Sequence, residues 1–273
     1  MNLSHRYRAF LCCPRLLLAI AVLVATVRGA GAQDNAEVRA PTMRFVGADY
    51  SYVAFQDQTD PWHLTALSLG RRDSRGSLIG RVNLANRFST TGTQFEIDAY
   101  PRLSRRAYAY LNAGYSSASI FPDWRSGGEL FVGLPSAWEA SAGYRQLRFG
   151  GAPVTLFTGA VGKYIGNYWF SARPYVRVRS NGTSASAGLT ARRYYQDGDN
   201  YFGARASYGS APADQATPDA VSRTDALSAA VQASRSLRSS LLGTASVGYD
   251  REELAPGRVR RGVTSSVGLR VRF

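Results

Sequence analysis

The chain ends in the sequence SSVGLRVRF, residues 265–273, and this stretch decides the fold class. Every second residue is apolar or small, which indicates a β-strand with one apolar and one polar face. The polar face carries Arg270 and Arg272. An apolar strand edge at a terminus favours aggregation unless it is paired, so the sequence predicts that this strand pairs with the first one, near residues 43–55, and closes a barrel. The apolar face carries Val267, Leu269, Val271 and Phe273.

The N-terminus has the features of a secretory signal peptide. MNLSHRYR (1–8) is basic, LLLAIAVLVATV (16–27) is an apolar run, and AGA (30–32) is a small-residue cleavage site. The apolar run is shorter than the roughly 20 residues of a transmembrane helix, which disfavours the alternative of an uncleaved anchor. We expect the chain to divide into a signal peptide (1–32), a short N-terminal segment (33–41) and a barrel (42–273).

The composition narrows the class of protein further. Cys12 and Cys13 lie within the predicted signal, so the mature chain is not a disulfide-stapled domain. The remaining sequence has no stretch apolar enough for a membrane helix, which leaves a β-rich periplasmic protein or an outer-membrane β-barrel. The formal net charge is +14, but the arginines are scattered singly along the chain, so we expect no nucleic-acid partner.

Alternating segments recur from about residue 42 onwards. SLIGRVNLANRF (77–88) places Leu78 and Val82 on one face and Arg81 and Arg87 on the other. Strands of about ten residues with this alternation match a tilted span of a bilayer. Turn-like sequences between them predict an all-β fold, a transmembrane antiparallel up-and-down barrel of about fourteen strands, with twelve as the alternative. The connections expected to face outward are 56–61, 89–92, 117–122, 150–153, 180–182, 210–223 and 252–258.

Aromatic residues cluster at the predicted strand ends, for example Trp62, Trp124 and Trp169. Such rings favour the boundary between membrane and water, so we expect two girdles, and the alternative is the aromatic core of a soluble sandwich. The expected partners are outer-membrane lipids and the barrel-assembly machinery. We expect that machinery to recognise the terminal apolar residues Val267, Leu269, Val271 and Phe273.

Several longer strings resemble those of YaiO-type outer-membrane β-barrel proteins. They include LNAGYSSASIFPDWRSGGELF (111–131), VGKYIGNYWFSARPY (161–175) and RRYYQDGDNYFGARASYGSAP (192–212), and the resemblance extends over roughly residues 45–273. It implies a barrel in the bacterial outer membrane. Some relatives carry tetratricopeptide repeats before the barrel, which suggests polysaccharide export as one alternative function. Here only residues 33–41 precede the first predicted strand, which weakens that analogy.

The polar face of the predicted strands is rich in arginine. Guanidinium groups suit bidentate contacts to carboxylate or phosphate, so one interpretation is an anion-favouring pore or a cradle for an acidic glycan. The other is an internal network that fills the barrel, in which arginines pair with inward acids; Arg81 and Glu96 form one expected pair. The residues expected to face the lumen are Arg81, Arg87, Arg102, Arg145, Arg173, Arg177, Arg179, Arg192, Arg205, Arg270, Arg272, Glu96, Asp98, Glu129 and Glu139.

Within that set, all the arginines except Arg102 and Arg145 are candidates for contact with an anion, and the four acids are their expected partners. We expect the charge of Arg173, Arg177 and Arg179 to be unpaired, because neither their own segment nor TSASAGLTAR (183–192) contains an acid.

Catalysis is a weaker hypothesis. The mature chain has a single histidine, His63 in DPWHL, with Asp57 and Asp60 nearby. A serine–histidine–acid set at the outer rim predicts a lipid- or glycan-modifying enzyme. The alternative is a rim histidine beside Trp62. One histidine and no cysteine disfavour a metal site, and we expect no cofactor.

Overall fold

The fold is described from a computed structural model. It describes residues 42–273 except 57, 58, 152, 180, 181, 196, 212–223 and 256, and except the side chains of Arg179 and Ala255. The predicted signal peptide (1–32) and N-terminal segment (33–41) lie outside the described residues. In the part of the chain that is described, no helix has the length and apolar character needed to cross a bilayer.

The described residues form fourteen antiparallel strands in up-and-down order, which close into one barrel. The predicted fold is therefore confirmed, with fourteen strands rather than twelve. The strands are β1 Met43–Phe55, β2 Trp62–Asp73, β3 Gly76–Arg87, β4 Thr90–Pro101, β5 Ala107–Tyr115, β6 Trp124–Leu134, β7 Trp138–Arg148, β8 Val154–Ile165, β9 Tyr168–Arg179, β10 Gly182–Tyr194, β11 Tyr201–Gly209, β12 Asp225–Arg238, β13 Leu241–Ala255 and β14 Arg258–Arg272.

The last strand closes the barrel on the first, as its alternation predicts. β14 pairs antiparallel with β1 over a register that runs from Phe45 opposite Arg272 to Phe55 opposite Gly262. Phe273 extends the pairing, since its amide donates to the Arg44 carbonyl at 2.9 Å and its carbonyl accepts from the Arg44 amide at 2.8 Å. No strand edge is left open in the closed order of the described strands.

Met43 and Phe273 lie at one end of the barrel, which we call the termini end, and we call the opposite end the loop end. Two of the connections predicted for the loop end are shorter in the structure. β3 and β4 meet at Phe88 and Ser89, whose φ values of 54° and 56° give the left-handed turn that joins two strands directly. β13 and β14 likewise extend into 252–258 and leave residues 256–257 between them. In both cases the strands continue into the region that turn-forming residues mark as a loop.

Alternation divides the barrel wall into an apolar outer face and a polar inner face. Leu69 is 62% exposed and Val267 is 61% exposed on the outer face, where a soluble protein would bury such residues. On the inner face the buried residues include Glu96, Asp98 and Arg145. This inside-out pattern is that of a barrel surrounded by lipid.

The connection between β5 and β6, residues 116–123, folds into the mouth of the barrel at the loop end. Ile120 and Phe121 are buried and pack on Ala85 of β3, with Leu64 of β2 beside them. The Ser116 hydroxyl donates to the Thr93 carbonyl at 2.6 Å. This connection therefore narrows the lumen, whereas the sequence predicts it only as an outward-facing loop.

Candidate functional site in the barrel lumen

The inner wall of β3 to β6 carries one network of ionic groups. Arg81 donates to Glu96 at 2.8 Å and to Asp98 at 3.1 Å, so the expected Arg81–Glu96 pair is present. Arg125 donates to the other Glu96 oxygen at 2.6 Å and, through Nε, to Asn112 at 3.0 Å. Asn112 in turn donates to Asp98 at 2.6 Å. Both acids of this network, Glu96 and Asp98, thus accept hydrogen bonds from arginine or amide donors.

A second network is centred on Glu129 of β6, whose side chain is 0% exposed. Arg145 of β7 donates to it at 2.7 Å, and Ser141 donates at 2.5 Å. Arg173 of β9 reaches both carboxylate oxygens, at 2.7 and 2.9 Å. The expectation that Arg173 is unpaired is therefore wrong, because its side chain extends to an acid three strands away.

A third group of charges lies at the loop end beside the inward ring of Trp62. Arg260 of β14 donates to Glu252 of β13 at 2.6 Å, and its guanidinium carbon lies 4.6 Å from the centre of the Trp62 ring. Arg87 of β3 lies 5.4 Å from the same ring and 5.8 Å from that of Phe121. Both guanidinium groups therefore form cation–π contacts at the mouth of the lumen.

The turn between β10 and β11 contacts inward-facing residues at the termini end. Arg272 forms an ion pair with Asp199 at 3.0 Å, and the Ser234 hydroxyl donates to the Asp199 carbonyl at 2.6 Å. Within the turn, the hydrogen bond from the Asn200 side chain lowers the pKa of Asp197. Arg270, also expected in the lumen, lies 4.5 Å from the Phe45 ring centre.

The inner faces of β9, β10 and β11 carry arginines without acids. Arg192 lies opposite Trp169, and Arg205 lies opposite Thr190 and Ala230. Among the described residues, β8 to β11 contain no Asp or Glu, and the single acid of β12, Asp225, precedes the inward Ala226 and so faces outward. We call the inward side of β9 to β11 the basic wall. The residues that form it are Arg173, Arg177, Arg192 and Arg205.

Members of the basic wall differ in their surroundings. The Arg192 guanidinium is stacked on the rings of Trp169 and Tyr201, at 5.3 and 4.7 Å. The Arg205 side chain is exposed to the lumen, and within the described residues it has no ion pair. Contact of these side chains with an anion stays a prediction.

The lumen retains two adjacent cavities, of about 560 and 450 Å³. Ser51, Leu64 and Arg87 line both of them. The larger cavity lies against β11 to β14, and the smaller one lies against the network of Arg81 and Glu96. The ion-pair networks therefore narrow the lumen without filling it.

His63 and Asp60 of the candidate catalytic set have different hydrogen-bond partners. His63 lies on the outer face, where Nδ1 is 2.8 Å from the Tyr50 hydroxyl and the ring packs on Tyr52 at 5.2 Å. Asp60 instead accepts a hydrogen bond from Ser89 at 2.6 Å, and Asp57 lies outside the described residues. Within the described residues, no three His, Cys, Asp or Glu side chains lie close enough to hold a metal ion.

The family model of the YaiO membrane β-barrel domain matches residues 44–214. The chain belongs to this family. The match covers β1 to β11, and it confirms the resemblance inferred from the sequence. No curated protein matches the sequence.

Solved structures that match at low identity include two porins and OprB. KdgM porin is 12% identical with a TM-score of 0.45, covering 83% of this chain and 99% of that one. An anion-selective porin from Comamonas acidovorans is 11% identical with a TM-score of 0.45, covering 86% and 100%. OprB from Pseudomonas putida is 6% identical with a TM-score of 0.48, covering 86% and 94%.

Among the described residues, five charged ones that line the two lumen cavities were not identified from the sequence. The alternation of inward and outward residues along β1, β6, β13 and β14 assigns them to the inner face when it is counted from the neighbouring aromatic residues. Three of them are acids and two are arginines, so together they lower the net positive charge of the lumen by one. Arg102 lies beyond β4 in an isolated bridge with Tyr108, and Glu139 has no ion pair among the described residues. The five residues are Asp49, Arg125, Asp250, Glu252 and Arg260.

Proposed function

We propose that the chain is a narrow channel of the bacterial outer membrane that favours small anions. Its membership of a membrane β-barrel family and its polar, partly open lumen support a channel. The lumen networks disfavour a wide route for a polysaccharide chain, because Arg145 and Arg173 converge on Glu129 inside the barrel.

The basic wall is the observation that carries the proposal. Arginines lining a pore attract anions and repel cations, and within this wall Arg192 and Arg205 have no ion pair among the described residues. The networks of the opposite wall pair arginine with acid, so they contribute less to selectivity. Asp250 and Glu252 of β13 lower the net charge of the lumen without reversing the charge of the basic wall.

A structural barrel is the second candidate. The inward connection 116–123 and the buried ion pairs of Glu129 favour it, because both occupy the lumen with protein atoms. In that case the arginines stabilise the interior and no ion current crosses the protein. The two candidates therefore differ in ion conductance, which can be measured directly.

The test is the reversal potential of the refolded protein in a planar bilayer under a KCl gradient. We expect anion preference, and we expect the double variant Arg192→Gln and Arg205→Gln to reduce it. The matched control is Arg193→Gln, because Arg193 follows Arg192 on β10 but faces outward, against the Tyr168 ring at 5.6 Å. Cation preference contradicts the proposal, and the absence of any conductance favours the structural barrel.

A further inference from the structure

We propose that the larger lumen cavity binds a small sugar acid, an anion with one carboxylate and several hydroxyl groups. The inference rests on the proposed function, since the cavity lies on the route that an anion would take. Its volume of about 560 Å³ is within the range of small-molecule sites, roughly 300 to 1,000 Å³.

The space exists because one part of the wall has almost no side chains. Ala230 of β12, Gly248 of β13 and Thr264 of β14 follow one another across the ladder, and Gly262 lies two residues from Thr264 on the same face. All four line the cavity. At Gly248 an added Cβ would lie 3.0 Å from the Ala230 Cβ, so even alanine would crowd this part of the wall.

Hydroxyl groups surround this small-residue wall. Ser207 and Ser228 are hydrogen-bonded to each other at 2.6 Å, and Ser51 and Ser266 at 2.8 Å. A serine hydroxyl offers one donor and two acceptor sites, so each pair retains capacity for a further hydrogen bond. A ligand with several hydroxyl groups would use that capacity. The hydroxyl residues that line the cavity are Ser51, Ser207, Ser228, Ser246, Thr264 and Ser266.

The charges of the cavity select one carboxylate. Arg205 is exposed to the cavity without an ion pair in the described residues, and a guanidinium binds a carboxylate through two parallel hydrogen bonds. Asp250 also lines the cavity and disfavours a second negative group nearby, and Glu252 beside it is paired with Arg260. Carboxylates can nevertheless accept hydrogen bonds from the hydroxyl groups of a ligand. The arrangement therefore favours a hydroxylated monoanion over both a polyanion and an uncharged sugar.

The test measures block of the single-channel chloride current by D-glucuronate, with acetate and D-glucose as comparison solutes. We expect glucuronate to block at lower concentration than either comparison solute. Arg205→Gln should raise the half-blocking concentration of glucuronate about tenfold or more, since it removes a charged hydrogen-bonding group. Arg193→Gln on the outer face should leave that concentration unchanged.

A second variant separates hydroxyl recognition from charge. Ser207→Ala combined with Ser228→Ala should weaken block by glucuronate and leave block by acetate unchanged. The inference is wrong if glucuronate blocks no better than acetate in a conducting, anion-preferring channel, or if Arg205→Gln has no effect on its block.

A non-conducting protein would count against the proposed function alone. Calorimetric titration of the detergent-folded barrel with D-glucuronate then decides the inference. Binding that Arg205→Gln abolishes supports the site in a closed lumen, whereas the absence of heat in the wild type overturns it.

Discussion

Glu129 shows at the scale of one residue how charge is held inside this barrel. Its buried carboxylate accepts hydrogen bonds from Arg145, Arg173 and Ser141. Both carboxylate oxygens are therefore hydrogen-bonded. A buried charge is tolerated only when it is paired and hydrogen-bonded in this way. Removing one partner of such a buried pair is expected to lower the stability of the protein.

Glu129→Gln is expected to destabilise the folded barrel. The change leaves Arg145 and Arg173 facing a neutral amide, and breaking a buried pair lowers the free energy of unfolding by about 3 kcal/mol. Urea titration of the barrel folded in detergent measures the loss as a lower transition midpoint. Glu139→Gln on β7 is the control, because Glu139 has no ion pair among the described residues. Equal midpoints for the two variants would contradict the prediction.

The partners of Glu129 mark the limit of prediction at the residue scale. Alternation assigns Arg173 and Glu129 to the inner face, since it depends only on which side of a strand each residue lies. It does not assign their pairing, because β6 and β9 are not neighbours in the ladder. That contact depends on the curvature of the wall and the length of the arginine side chain. Arg81 and Glu96 were predictable because they are directly opposite in adjacent strands.

The connection 116–123 is the element that most changes the lumen. Its apolar residues Ile120 and Phe121 would be exposed to water in an outward loop, and packing on Ala85 and Leu64 removes them from it. The string SSASIFP contains this signal, two large apolar residues within a loop, but a sequence pattern does not specify on which side they are buried. The side on which they are buried depends on how the connection packs against β2 and β3 at the narrow mouth of the barrel.

Phe121→Ala should widen the mouth of the lumen. The ring lines the smaller cavity and contacts Arg87 at 5.8 Å, so its removal leaves space for water and ions. Single-channel conductance is expected to rise above that of the wild type. Phe157→Ala provides the control, because Phe157 is 54% exposed on the outer face of β8. An unchanged conductance in Phe121→Ala would show that the narrowest part of the route lies elsewhere.

The end of β14 carries the proposed assembly signal. Deletion of Phe273 removes two backbone hydrogen bonds to Arg44, each worth about 1 kcal/mol, and an aromatic ring that is 66% exposed on the outer face. We expect the amount of barrel assembled in the outer membrane of cells to fall more than the yield of folding into detergent. Phe273→Tyr, which keeps the ring and both hydrogen bonds, should assemble normally. Equal assembly of the deletion variant and the wild type would rule out this role.

The distribution of charge over the whole barrel is asymmetric. On β3 to β7 the acids and arginines form networks, which Arg173 of β9 joins, whereas Arg192 of β10 and Arg205 of β11 have no ion pair among the described residues. Asp250 and Glu252 of β13 lie between the basic wall and the closing pair of strands. Paired charges produce weak fields at a distance, so under the proposed function Arg192 and Arg205 would determine which ions enter.

Salt should therefore weaken the selectivity of the channel. The Debye length falls from about 10 Å at 0.1 M to about 3 Å at 1 M, so at high salt the basic wall acts only on ions close to it. We expect the anion-to-cation permeability ratio, measured from reversal potentials at constant gradient, to decrease towards the ratio in free solution as total KCl rises.

A charge-neutral variant tests whether the basic wall, rather than the total number of arginines, sets this dependence. Arg260→Gln combined with Glu252→Gln removes one positive and one negative charge that are joined at 2.6 Å. It should preserve both the permeability ratio and its salt dependence. Arg205→Gln removes a charge that has no such partner, so it should lower the ratio most at low salt, where the field of the guanidinium reaches furthest. Equal ratios for the two variants at 0.1 M KCl would show that the unopposed arginines do not control selectivity.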